Sequence, residues 1–150
     1  MKLLHTLLVV AALAFAGSAS AHSDEYLDSI VTPHGGQIRM AGAYHFELVV
    51  EEGTLTVYLT DHADQPIASA GTNGSATVLV GKNRSTINLA PAGDNRLTGK
   101  GSFAMDAAMR VVLSISLPGQ AAEQARFTPL APRPVQPAAA DHSHDDHHHH

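Results

Sequence analysis

Histidine is the residue type that stands out in this chain. There are eleven, and there is no cysteine. Six of them crowd the last nine positions and one lies at position 5, which leaves His22, His34, His45 and His62 spread through the remainder. Imidazole nitrogen completed by carboxylate oxygen is the donor set that suits Zn(II), Cu(II), Co(II) and Ni(II). His34 sits in Pro33-His34-Gly35-Gly36, where two glycines let the chain bend sharply and bring an imidazole close to neighbouring backbone. Eleven residues after His34 comes His45, and it and Glu47 are two apart in a strand-like run, so both project from one face. A loop folded back over that strand would complete a set of His34, His45 and Glu47. The alternative leaves His45 and Glu47 as solvent-facing strand residues and His34 as part of a turn.

Further donors lie around this trio. His62 is flanked by Asp61 and Asp64, which offer ligand oxygens, although aspartates also serve simply as turn formers. His22 would chelate Cu(II) through its α-amine and ring nitrogen if processing made it the first residue. In the tail, His142 and His144 alternate with Ser143 and acids; the pattern reads as a native tail that collects divalent metals with low selectivity, with an expression tag as the alternative. Met40, Met105 and Met109 carry thioethers suited to Cu(I), but methionines more often fill gaps in a core, and they are left out of the candidate set. No nucleophile elbow, phosphate-cradling glycine loop or His-Glu-x-x-His pattern occurs. The chain does not read as an enzyme.

The elements that would hold these residues are strands. Tyr44, Phe46, Leu48 and Val50 alternate with His45, Glu47 and Val49; Glu51-Glu52-Gly53 turns the chain, and Leu55, Val57 and Leu59 resume the period of two. Further segments follow at Ile67–Ala70, Ala76–Val80, Thr86–Leu89, Arg96–Gly99, Ser102–Ala104, Met109–Leu117 and Gln124–Thr128, with a helical turn at Asp106–Met109. About seven short strands with frequent turns indicate an all-β antiparallel sandwich, immunoglobulin-like in shape, with an open barrel as the alternative. Alternation tells which face a residue takes, not which strand lies beside it, so strand order stays open.

Lys2, the apolar Leu3–Phe15 stretch and Ala19-Ser20-Ala21 have the layout of a secretory signal peptide cleaved after Ala21. The apolar run is shorter than the ~20 residues of a membrane span; an uncleaved anchor is the alternative. Residues 22–128 are then one periplasmic domain, and 129–150 a Pro/Ala linker with a His/Asp-rich tail expected to be disordered without metal. The net charge of −5 with no basic block excludes nucleic acid as a natural partner, and no membrane contact is expected after cleavage.

Pro33-His34-Gly35-Gly36, Ala43 to Val49, Leu55 to His62 and Pro66-Ile67 together resemble the small β-domain of periplasmic adaptor subunits in heavy-metal efflux pumps. The similarity extends to about Thr128 through Leu89 to Gly93 and Ala125 to Thr128, although only the first third is distinctive. It implies copper, zinc or a related ion as ligand, sequestration or delivery to an efflux pump component as the role, and His34, His45 and Glu47 as the residues, with His62 beside them. No coiled-coil hairpin or lipoyl-like segment is present, so the chain would act alone or as an accessory. The expected function is thus a periplasmic transition-metal-binding protein in heavy-metal resistance. The alternative is a non-catalytic structural or protein-interaction domain whose histidines are incidental.

Overall fold

A computed structural model describes residues 19–134, with side chains from Asp24 onward. One helix, α1 (Ala19–Ser29), precedes eight strands: β1 (Gln37–Ala41), β2 (Tyr44–Glu51), β3 (Thr54–Asp61), β4 (Asn73–Val80), β5 (Asn83–Pro91), β6 (Arg96–Lys100), β7 (Arg110–Ser116) and β8 (Glu123–Phe127). Every ladder is antiparallel, and the hydrogen-bonded order is β1-β2-β3-β6-β5-β4-β7-β8. The two end strands, β1 and β8, come to lie close together, so the sheet curls into a nearly closed barrel.

The all-β antiparallel expectation holds, with eight strands where about seven were expected. The arrangement differs from an immunoglobulin-type sandwich, in which the second and third strands lie in opposite sheets; here β2 and β3 are hairpin neighbours from Tyr44↔Asp61 to Glu51↔Thr54. The ladder turns its corner at β5. Its residues up to Leu89 pair with β4, then Ala90 and Pro91 pair with Thr98 and Leu97 of β6. The corner is tight enough that a Cβ on Gly99 would stand 2.4 Å from the Asn88 carbonyl oxygen. Only glycine fits that approach of one backbone to another. Strands β4 to β6 run consecutively and β7 returns beside β4, which is a Greek key.

Inward-facing residues on alternate positions make the core. Phe46, Leu48, Leu55, Val57, Leu59, Leu97, Val111, Leu113 and Ile115 are fully buried, and each contributes about 1.5–3 kcal/mol by leaving water. Two expected segments are not strands. Ile67–Ala70 follows a single bridge, Thr60↔Pro66, and Ser102–Ala104 is irregular. The helical turn expected at Asp106–Met109 is one turn closed by Met109 N–H donating to the Asp106 carbonyl at 2.9 Å.

Two elements carry no clear sequence signal. Strand β1 has its polarity reversed: Gln37, Arg39 and Ala41 are buried while Met40 is exposed. The inward polar residues are accommodated by α1. Arg39 forms a two-pronged ion pair with Asp28, at 2.8 and 3.0 Å. Gln37 donates to Asp28 Oδ1 at 2.8 Å and accepts from the Thr128 amide at 2.8 Å, stitching β1 to the end of β8. Among its described side chains, the helix brings only Leu27 as a buried apolar residue, and these polar bonds tie it to β1. The processing point expected after Ala21 falls within the first turn of α1; Leu27 and Asp28 lie on the side such a cut would retain. Among the described residues, no helix is long and apolar enough to cross a membrane.

Burial works against the Asp28 carboxylate, but hydrogen bonds from Arg39 and Gln37 and the positive charges of Arg39 and Arg133 outweigh it. They hold the carboxyl below its ordinary value. Stability from this group is therefore fully present above the unfolded value near ~3.9 and is lost as pH falls through the lower folded value. Asp28→Asn should cost about 1–3 kcal/mol at pH 7, allowing for the partial exposure of the pair. In urea titrations, the gap between wild type and variant should close as pH drops below about 4.

Candidate functional site

The outer face of β1–β3 is ordered in rows by the ladder register. Ile38, Glu47 and Tyr58 form one row, and Met40, His45 and Thr60 the next. Over the first row lies the segment preceding β1. Thr32 to Gly35 is a turn with Pro33 at its second position and Gly35 at φ 73°, which is the chemistry such turns favour. At Gly36 an added Cβ would meet the Leu48 carbonyl oxygen at 2.5 Å, so glycine is what lets the loop lie directly on β2.

Glu47 holds that loop down. It is the buried acid of the outer face, with its side chain 6% exposed. Its Oε1 accepts the His34 and Gly36 amides at 2.9 and 3.0 Å, and its Oε2 accepts from His34 Nδ1 at 2.7 Å. The His34 ring stacks on Tyr58, with centroids 3.5 Å apart and planes within 1°. On the loop's other side, Thr32 Oγ1 and Arg133 Nη1 donate to the Gly36 carbonyl at 3.0 and 2.7 Å. A carboxylate can only accept, so the short contact places the proton on His34 Nδ1 and leaves Nε2 as the lone-pair nitrogen of the neutral ring. A histidine that donates one ring N–H to a carboxylate is in the arrangement commonly seen behind metal-ligating imidazoles. Glu47 is thereby an orienting partner of His34, and both its oxygens are already engaged.

His45 belongs to a second grouping. The chain leaving β3 makes a tight turn in which Asp61 Oδ1 accepts the amides of Ala63 and Gln65 at 2.8 and 3.0 Å, and Asp64 takes the left-handed φ of 58°. Asp61 is thus occupied in shaping the turn, which sets His62 and Asp64 beside His45. The His45 and His62 rings lie 4.9 Å apart at 25°, and His45 Nδ1 stands 3.4 Å from Asp64 Oδ1, a long contact. His45 is largely covered, its side chain 16% exposed, whereas that of Asp64 is 83% exposed. A cleft of about 240 Å³ runs between Ile30, Val31 and Pro33 on one side and His45, Glu47, Tyr58 and Thr60 on the other.

Of the expected trio, His34 and Glu47 therefore meet, while His45 lies one row along and faces His62 and Asp64. Among the described residues, no three His, Asp or Glu side chains converge closely enough to hold an ion as they stand. The side chain of His22 and the whole of His142 and His144 lie outside the described residues. Sequence reading missed Tyr58, which carries no signal beyond an outward position in a strand. No family model, curated protein or solved structure matches this chain, so its resemblance to the metal-resistance β-domain stands on the quoted motifs alone.

Replacing Glu47 by Gln should reverse the His34 tautomer, because an amide NH2 facing Nδ1 must donate where the carboxylate accepted. Nitrogen chemical shifts of the ring would show Nδ1 changing from protonated to unprotonated. The variant should also lose roughly 1–3 kcal/mol through weaker hydrogen bonds to the loop amides, with faster hydrogen exchange at Gly36.

Proposed function

We propose that this is an exported, periplasmic protein that binds a transition-metal ion, copper, zinc or a related divalent ion, through the outer face of β1–β3, and sequesters or delivers it in heavy-metal resistance. The observation that carries the reading is the pairing of His45 with His62, with the Asp64 carboxylate alongside. Two imidazoles and a carboxylate are a fitting donor set for Zn(II) or Cu(II). His62 and Asp64 are exposed and sit in a turn, so rotation of their side chains toward His45 is what would close the set. His34, oriented by Glu47, would offer Nε2 to a second ion or to one entering the neighbouring cleft. The His-rich tail, with His142 and His144, would act as a collector, and an efflux pump component would be the recipient.

A second reading has its own support. Val31, 99% exposed, lines the cleft together with Ile30 and Pro33, and an apolar rim of this kind suits a protein partner. On that reading the histidines are incidental.

Calorimetry separates the two. The domain without its tail should bind Zn(II) or Cu(II) more tightly than roughly 100 µM, and His45→Ala with His62→Ala should weaken binding at least about tenfold. Coordination needs neutral imidazoles, so affinity should fall as pH drops below histidine's reference value of about 6.5. A tail-less domain that binds no metal at this strength would overturn the metal reading.

A further inference from the structure

The β1–β2 hairpin turns at Gly42-Ala43, where Gly42 has φ 57° and glycine opens a two-residue turn of the kind that hairpins favour. Ala41↔Tyr44 is the pair that closes the turn, and Met40↔His45 is the next. Pairs in an antiparallel ladder alternate, so Met40↔His45 falls at a non-hydrogen-bonded position, where Cα atoms approach to about 4.5 Å and side chains are closest. Both project outward. Met40 is 44% exposed, in contrast to Met109, which is fully buried. It does not fill the core; the register makes it the cross-strand neighbour of His45, whose ring lies 4.9 Å from that of His62.

Resting on the metal-binding reading above, we propose that Met40 supplies a thioether sulfur to the ion held at His45 and His62, which makes this a site for Cu(I). A soft sulfur donor selects Cu(I) over the harder divalent ions. Cu(I) is also stable with few ligands, so a Met–His–His set serves it without the Asp64 carboxylate. Zn(II) gains nothing from a thioether and would rely on His45, His62 and Asp64.

The test uses the full exported chain, tail included, labelled with 13C at its methionine methyls and titrated to saturation with Cu(I), supplied as its acetonitrile complex without oxygen, or with Zn(II). With Cu(I), the Met40 methyl and the His45 ring resonances should both shift while the Met105 and Met109 methyls stay. With Zn(II), His45 should shift and Met40 should not. Met40→Leu, at an exposed position that spares the core, should lower the Cu(I) affinity read from the His45 ring resonances at least about tenfold in competition with a Cu(I) chelator, and change the Zn(II) affinity read there less than about twofold. If His45 responds to Cu(I) while Met40 is silent, or Met40→Leu leaves Cu(I) affinity unchanged, the thioether assignment is wrong and the metal site stands. If neither His45 nor Met40 responds to either ion at saturation, both readings fail.

Discussion

Glu47 occupies a position on β2 where the strand's outer face would ordinarily meet water, yet it is almost wholly buried. A carboxylate out of water is costly unless its oxygens are satisfied, and here two backbone amides and one imidazole satisfy them. The same three bonds fix the path of the loop before β1, hold the His34 ring against Tyr58, and form one wall of the cleft. The carboxylate is therefore the point at which loop, strand and candidate donor are joined. Hydrogen bonds to a charged acceptor are individually stronger than neutral ones, which is why one acid can organise a segment with little apolar surface of its own.

A second polar junction does comparable work on the far edge of β1. The sheet's ends, β1 and β8, approach without a ladder between them, and the gap is bridged by side chains. Gln37 reaches the Thr128 amide, and Asp28 of α1 receives both Gln37 and Arg39. Such a network stabilises only when each member is paired, and α1 supplies the partner that strand β1 lacks. The proposed metal site lies on the outward side of the same short strand, so β1 is held by polar bonds on its inner face and offers Met40 on its outer one.

Much of the barrel can be read from alternation. The β2–β3 hairpin, its turn at Glu52-Gly53 and the strong β7 follow from apolar residues at every second position, because a pleated strand with one buried face leaves that signature. Strand β1 escapes the same logic since its inward residues are Gln37 and Arg39, and a polar pattern is indistinguishable from a loop until the partner helix is known. For α1 the difficulty is similar: one buried leucine among its described side chains gives no helical stripe. The strand order is also invisible, as β5 changes partner from β4 to β6 within one uninterrupted run.

The chemistry divides along the same line. Composition and spacing alone determined that histidines and acids are the candidate donors, that no thiol is present, and that His45 and Glu47 share an outer face, since strand geometry puts residues two apart on one side. Only the tertiary structure decided which donors meet. Glu47 is claimed by the loop amides and His34, His45 is turned toward His62 and Asp64 by a connection almost twenty residues away, and Met40 is set opposite His45 by the register of a hairpin. Local periodicity specifies where a side chain points; what it points at is set by chain closure and backbone hydrogen bonding between segments that are distant in sequence.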